Sequence, residues 1–154
     1  SDNIIKGVQG LIPLVIVLSL AFAIGATTRE LGTGVFVAQA AQATVHPGFV
    51  PTIVFLLACF IAFSTGTSWG TFAIMIPIVI PMVDLIGLHP GLALAAALGG
   101  GIFGDHCSPI SDSTIVASMA AATDHIDHVR TQLPYALTAA TAASALFLVF
   151  GFVL

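Results

Sequence analysis

The spacing of the charged side chains constrains this chain more than any other feature. No Asp, Glu, Lys or Arg occurs within residues 7–28, 31–83, 85–104 or 131–154. A helix crosses the hydrocarbon core of a bilayer with about 20 apolar residues, so each run is long enough for at least one crossing. The sequence therefore predicts an all-α, polytopic membrane protein.

The composition excludes the other broad classes of protein. Apolar residues make up 58% of the 154 residues, only three are Lys or Arg and seven Asp or Glu, and the mean hydropathy is +1.12. A soluble domain usually has about 25% charged residues, and a disordered chain needs low hydrophobicity. Nucleic-acid binding is excluded because Lys6, Arg29 and Arg130 are too few for a basic patch.

The first apolar runs divide into segments of different length. Gly10–Thr27 is predicted to be a full span, and Gly32–Val45 a short or interfacial helix. Residues 49–86 hold two apolar flanks around the polar stretch Ser64–Thr71. Each flank has about 15 residues, or roughly 22 Å of helix, against a hydrocarbon core of ~30 Å. A re-entrant hairpin with its polar tip inside the membrane therefore fits at least as well as two full spans.

A helix broken in the middle is predicted over residues 91–122. Its apolar first half runs into the polar string Gly104–Thr114. Ser108 followed by Pro109 is typical of an N-cap and a first helical residue, so the helix is expected to restart there. Neither half is long enough to span the membrane alone, and together they make one span.

The C-terminal part is predicted to return to water once and then cross the membrane. Asp124–Arg130 is expected to be a water-facing loop, and residues 132–154 a final full span. Lys6 and Arg130 fall on one side of the membrane, which the positive-inside tendency places in the cytoplasm. Because the chain opens at Ser1 without Met and stops within an apolar run, we expect part of a longer protein.

The two polar breaks form the predicted site. Interrupted helices persist in a bilayer only where they are buried in protein or line a wet cavity, and paired interruptions are typical of transporter binding sites. Asp105, Ser108 and Asp112 are spaced to lie on one helix face. Burial and repulsion raise the proton affinity of paired carboxylates, whereas a helix N-terminus lowers it. A site in which these opposing effects on proton affinity balance binds either H+ or a hard cation. This competition is the basis of cation/proton exchange.

The polar residues of the two breaks could also have purely structural roles. Ser and Thr in membrane helices often only bond to backbone carbonyls or hold helices together. Asp112 could be simply a first-turn residue that favours the helix dipole. For the two carboxylates together a functional role is favoured, because ionisable side chains within a membrane are costly.

Two other chemistries are weaker alternatives. Gly66–Gly70 matches the G-x-S-x-G nucleophile pattern, which allows a remote alternative, an intramembrane serine protease using Ser68 with His106. His125 and His128 could bind a metal with a neighbouring Asp, although a pair with this spacing in a polar segment is more often a solvated helix cap.

Three stretches resemble the NhaC-type Na+/H+ antiporter family. They are Thr65–Thr71 (T-G-T-S-W-G-T), Gly104–Thr114 (G-D-H-C-S-P-I-S-D-S-T) and Asp124–Tyr135 (D-H-I-D-H-V-R-T-Q-L-P-Y). Residues 10–154 are similar to the C-terminal half of such a transporter. The resemblance implies a member of the ion-transporter superfamily, built from two inverted repeats that each hold a re-entrant hairpin and a broken helix. Residues 1–154 would then be a single transmembrane domain forming one repeat.

The resemblance also implies exchange of Na+ for H+. Asp112 is the carboxylate expected to alternate between the two ions, with Asp105 as a second ligand or charge tuner. Further oxygen ligands for the cation are expected from Ser108, Ser111, Thr114, Thr67 and Ser68. Na+ and H+ are the transported ions, and neither a cofactor nor enzyme activity is expected. Because similar family members exchange organic acids or move amino acids, a Na+- or H+-coupled transporter of those substrates is the alternative.

The resemblance places the protein in the cell (inner or plasma) membrane as a multi-pass protein. Its expected partners are membrane lipid, the missing N-terminal half of the same protein and, as an option, a second copy in a homodimer. No nucleic acid is expected among them.

Overall fold

The computed structural model describes residues 9, 15–16, 19–20 and 22–154, and it contains no β-strand among them. The all-α membrane class is confirmed. A helical segment over residues 22–30 is called α1. The helices that follow are α2 (Thr33–Thr44), α3 (Val50–Thr65), α4 (Ser68–Ile86), α5 (Pro90–Cys107), α6 (Asp112–Ala120) and α7 (His125–Val153).

Three helices in the described part of the chain are long and apolar enough to cross a membrane. They are Pro47–Thr65, which joins a 3-10 turn to α3, together with α4 and α7. At 1.5 Å per residue, the 19 residues of α4 make about 28 Å of helix. Eight of the 18 residues of the predicted first span, Gly10–Thr27, lie outside the described residues, and this span stays a prediction. Whether α3 and α4 form a re-entrant hairpin or two full spans stays a prediction.

The break between α3 and α4 is much shorter than the polar stretch Ser64–Thr71. Gly66 follows the last residue of α3, and its φ of 67° reverses the chain in a conformation that favours glycine. Thr67 then caps α4, because its hydroxyl oxygen accepts a hydrogen bond from the Gly70 amide at 3.5 Å. Two residues therefore separate the helices, and most of the polar stretch is helical.

The prediction that the broken helix restarts at Pro109 was wrong. α5 continues through Asp105 to Cys107, and α6 begins at Asp112 with Ser111 as its N-cap. Ser108 is instead the extended residue that ends α5, with ψ 131°. Its conformation has a local cause, because a residue that precedes proline is driven out of the helical region. The connection between α5 and α6 is thus Ser108–Ser111.

The prediction of a water-facing loop over Asp124–Arg130 was also wrong. Asp124 caps α7, since its Oδ1 accepts hydrogen bonds from the Ile126 and Asp127 amides at 2.9 and 3.1 Å. The polar residues that follow form the first turns of the helix. α7 is therefore longer than the predicted span over residues 132–154.

Glycines allow α5 to pack closely on α3. A Cβ atom at Gly100 would overlap the Phe55 carbonyl oxygen, and one at Gly104 the Cys59 carbonyl oxygen. The buried residues of α5 on the same core are small as well: Ala93, Ala96 and Ala97. This close approach brings the end of α5, with Asp105, beside the end of α3.

Candidate cation-binding site

The two polar breaks lie against each other. The Ser108 hydroxyl, at the end of α5, donates a hydrogen bond of 2.7 Å to the Phe63 carbonyl in the last turn of α3. A Cβ atom at Gly66 would lie 2.7 Å from the Ile110 carbonyl oxygen, so the turn between α3 and α4 rests directly on the connection between α5 and α6. The breaks are therefore one structural unit.

A cavity of about 560 Å³ opens beside this unit. The turn before α4, the last turn of α5 and one side of α6 form its wall. Its lining includes two carboxylates and three hydroxyls, and no Lys, Arg or His among the described residues. The side chains with oxygen atoms are Thr67, Ser68, Asp105, Asp112 and Ser113. The cavity thus presents negative charge and oxygen atoms, the ligands that hard cations prefer.

Asp105 is the buried carboxylate of the pair, with 9% of its surface exposed. Its Oδ1 accepts a short hydrogen bond from the Ser111 hydroxyl, and the Ser111 and Ser113 hydroxyl oxygens are 2.8 Å apart. A serine hydroxyl has one hydrogen, so when Ser111 donates to Asp105 it accepts from Ser113. Ser113, which lines the same cavity, is therefore linked through Ser111 to the buried carboxylate.

Asp112 occupies a different environment. It is the first residue of α6 and is exposed to the cavity. The free N–H groups of a helix N-terminus favour a negative charge there, whereas Asp105 lies in the last turn of α5, where the dipole has the opposite sign. The predicted pair thus lines one cavity from two helix ends of opposite polarity.

Ser108 and Thr114 are buried and hydrogen-bonded to backbone carbonyls. Thr114 Oγ1 donates to the His106 carbonyl oxygen at 3.0 Å, and the Gln132 side chain of α7 donates to the same oxygen at 3.0 Å. Neither Ser108 nor Thr114 lines the cavity. Their observed contacts hold the break in place.

Sequence reasoning missed two polar residues that take part in the site. Ser113 lies within the quoted string Gly104–Thr114, and its hydroxyl was a detectable signal. Gln132 precedes the apolar part of α7, and nothing local indicates that it reaches the end of α5.

In the part of the chain that the structure describes, the alternative nucleophile Ser68 has no hydrogen bond to a basic side chain. His106 Nδ1 lies 2.9 Å from the Ile102 carbonyl oxygen of its own helix. Among the described residues no hydrogen bond joins Ser68 to a histidine. Ser68 lines the cavity together with Thr67, in the position of an additional oxygen donor.

The alternative metal site at His125 and His128 is not formed in the part of the chain that the structure describes. No group of three His, Cys, Asp or Glu side chains converges among those residues. Both imidazoles contact the Ser118 hydroxyl instead, and Asp124 is engaged in capping α7.

Comparison with known proteins identifies the family of the chain. The family model described as the Na+/H+ antiporter family matches residues 1–152. The chain belongs to the Na+/H+ antiporter family. The predicted resemblance is thereby confirmed, and membership of this family points to a transporter rather than an enzyme. No solved structure matches the chain.

Relatives of this antiporter-family chain carry different names. It is 34% identical to the malate-2H(+)/Na(+)-lactate antiporter of Bacillus subtilis, over 70% of this chain and 23% of that protein. Identity to the arginine/ornithine antiporter ArcD of Halobacterium salinarum is 28%, over 98% of this chain and 30% of that protein. Identity to the Na(+)/H(+) antiporter NhaC of Alkalihalophilus pseudofirmus is 31%, over 68% of this chain and 26% of that protein. The chain thus spans less than a third of each relative.

Proposed function

We propose that the full-length protein exchanges Na+ for H+ across the plasma membrane. One observation carries this proposal: the cavity at the helix breaks combines the carboxylates of Asp105 and Asp112 with three hydroxyls, and no basic side chain is among its described lining residues. Two carboxylates that line one cavity within a membrane cost free energy unless a proton or a cation neutralises them. The same oxygens therefore bind either ion, and the two ions compete.

In the proposed mechanism the two carboxylates have different parts. Asp112, exposed to the cavity at the N-terminus of α6, meets the incoming ion. Asp105 supplies the second carboxylate, and the Ser111 hydroxyl, which contacts the Ser113 hydroxyl, donates a hydrogen bond to it. Thr67 and Ser68 provide further oxygen ligands. Ser108 and Thr114 hold the helix ends in position through their hydrogen bonds to backbone carbonyls. A membrane potential supplies about 2.3 kcal/mol for each net charge moved across 100 mV.

The architecture of the whole transporter belongs to the same proposal. Residues 49–86 would be a re-entrant hairpin, residues 91–122 the broken helix and residues 132–154 the last span of one repeat. An inverted N-terminal half, missing from this chain, would complete the cavity. Lipid surrounds the apolar faces, and a homodimer remains an option.

The decisive experiment measures Na+-driven proton flux in vesicles that contain the full-length protein. We expect D105N and D112N each to reduce flux by about tenfold or more, the factor that corresponds to ~1.4 kcal/mol. D84N is the matched control, because Asp84 is an exposed aspartate at the end of α4, outside the cavity lining. If both cavity variants keep wild-type flux, the site assignment is wrong.

A second function has support from one observation. A volume of about 560 Å³, with the Trp69 side chain in its wall, falls in the range of pockets that hold small organic ligands, about 300–1,000 Å³. The names of the Bacillus and Halobacterium relatives make an organic acid or an amino acid the substrate to test. Flux of labelled malate, lactate or arginine in the same vesicles, with little direct Na+/H+ exchange, would favour this function.

A further inference from the structure

Ser118, His125 and His128 form a hydrogen-bonded cluster outside the cavity. The Ser118 hydroxyl oxygen lies in the last turns of α6 and is buried, with 2% of the residue exposed. Three groups lie within hydrogen-bonding distance of it. They are the Thr114 carbonyl oxygen at 2.8 Å, His125 Nδ1 at 3.0 Å and His128 Nδ1 at 2.7 Å.

The contact of the second ring nitrogen of His125 constrains how many protons this ring holds. His125 Nε2 lies 2.7 Å from the Pro109 carbonyl oxygen, which can only accept a hydrogen bond, so Nε2 carries a hydrogen. The Ser118 hydroxyl has a single hydrogen. If it donates to Thr114 or to His128 Nδ1, the nearby His125 Nδ1 must also carry a hydrogen, and the His125 ring is doubly protonated. If it donates to His125 Nδ1 instead, the ring is neutral and Thr114 loses this hydrogen bond.

We propose that this cluster is a second proton-binding site, separate from the carboxylate pair, and that its protonation fastens the start of α7 to the break between α5 and α6. The geometry accepts one proton at His125 through a rotation of the Ser118 hydroxyl alone. Histidine is the side chain that ordinarily changes its charge near neutral pH. Charge-assisted hydrogen bonds are about twice as strong as neutral ones, so protonation strengthens the bond to Pro109.

The position of Pro109 determines which part of the protein is affected when His125 is protonated. Pro109 lies in the connection Ser108–Ser111, between the helix that carries Asp105 and the helix that carries Asp112. Movement of either helix end changes the path of this connection. A protonated His125 therefore restrains the segment that holds the two carboxylates apart.

The charged and titratable groups around the cluster belong to three helices. On α7 they are Asp124, Asp127 and Arg130. On α6 the single carboxylate is Asp112, at the opposite end of a nine-residue helix, and the end of α5 adds Asp105 and His106. Among the described hydrogen bonds, none joins these side chains to His125 or His128. The protonation state of His125 therefore acts on the protein through its hydrogen bonds with Ser118 and Pro109.

The proton count can be measured directly by NMR in the full-length protein with 15N-labelled histidine rings. The His125 signals are identified by their loss in H125Q. Over a pH series from about 8 to about 6, we expect His125 to change from one ring proton to two, with Nε2 protonated throughout. In S118A the ratio of doubly to singly protonated His125 should fall by about fivefold, because the charge-assisted bond to Ser118 is lost.

Two further variants keep this test independent of folding and of transport. S118T retains the hydroxyl and should retain the wild-type ratio. H89Q removes an exposed histidine that caps α5 and should leave the His125 signals unchanged. The proposal is overturned if His125 keeps a single ring proton through the whole series, or if S118A and wild type give the same ratio. Loss of the proposed Na+/H+ exchange would appear in the flux assay and not in these signals.

Discussion

At the scale of single residues, hydroxyl groups in the two breaks take different parts. The sequence places Ser108, Ser111 and Thr114 alike within one polar string, and all three are buried. The structure separates them by their partners. Ser108 and Thr114 donate to backbone carbonyls, whereas Ser111 donates to the Asp105 carboxylate. A hydroxyl in a polar string therefore does not reveal from its position alone whether it holds a helix end or contacts a carboxylate.

The part played by Ser111 can be tested with a single substitution. S111A removes the hydroxyl that donates to Asp105. A hydrogen bond to a charged group contributes about 1.5–3 kcal/mol, so we expect the Na+ concentration for half-maximal flux to rise by about tenfold or more. Na+-dependent flux of the full-length protein at constant pH measures this change.

Ser64 provides the matched control for that substitution. Its hydroxyl donates to the Phe60 carbonyl within α3, at 2.8 Å, and lies outside the cavity lining. S64A should therefore keep the wild-type Na+ dependence. Equal effects of S64A and S111A would contradict the role assigned to Ser111.

At the scale of the elements, the helix boundaries depend on a few capping residues. Apolar runs predicted α3, α4 and α5 because burial in a bilayer requires long apolar helices. The helix boundaries were harder to predict, because Ser and Thr occur both within helices and at their caps. Thr67, Ser111 and Asp124 proved to be the residues that precede helices, and Pro109 disfavours a helical Ser108 before it. Polar composition alone misplaced the start of α4, of α6 and of α7.

The turn between α3 and α4 yields a prediction about stability. G66A places a side chain at a φ of 67° and also brings its Cβ within 2.7 Å of the Ile110 carbonyl oxygen. The left-handed conformation alone costs a non-glycine residue about 1–2 kcal/mol. We expect G66A to cost more than this, because the turn must also move away from the connection between α5 and α6. Thermal unfolding of the full-length protein measures the loss.

Gly87 isolates the conformational part of that cost. It ends α4 with a φ of 76°, and a Cβ atom there would meet no neighbour within 4 Å. G87A should therefore lower stability by about 1–2 kcal/mol only. If G66A is no more destabilising than G87A, the contact between the two breaks does not constrain the turn.

At the scale of the whole molecule, the start of α7 is linked to the carboxylate pair through the break. Gln132 and His125 of α7 reach the His106 and Pro109 carbonyl oxygens on either side of Ser108. A helix that begins outside the predicted last span thereby contacts the last turn of α5, which carries Asp105, and the connection that leads to Asp112. Through this connection the proposed proton site at His125 would act on the proposed transport.

That coupling predicts a change in the pH dependence of transport. If protonated His125 restrains the break, exchange by the wild-type protein should rise as the pH increases through neutrality. H125Q removes the group that takes up the proton, so its flux should vary less between pH of about 6 and about 8, by a few-fold. Flux measured at equal Na+ gradients gives the two profiles. H89Q should follow the wild-type profile, and an unchanged profile in H125Q would separate the proton site from transport.

The sequence by itself determined the class of the protein and its candidate carboxylates. Both follow from the free energy of transferring side chains from water into a bilayer, which depends on composition. Long runs without charged residues are stable in a bilayer. Asp105 and Asp112 interrupt such runs at a cost in free energy. The tertiary structure decided where the helices end, which hydroxyls face the cavity, and that Ser118 meets two histidines of α7. Those features depend on contacts between residues far apart in the chain, such as Ser108 with Phe63 and Gln132 with His106. Local sequence patterns carry no information about such contacts, because side chains with the same local pattern find different partners once the helices pack.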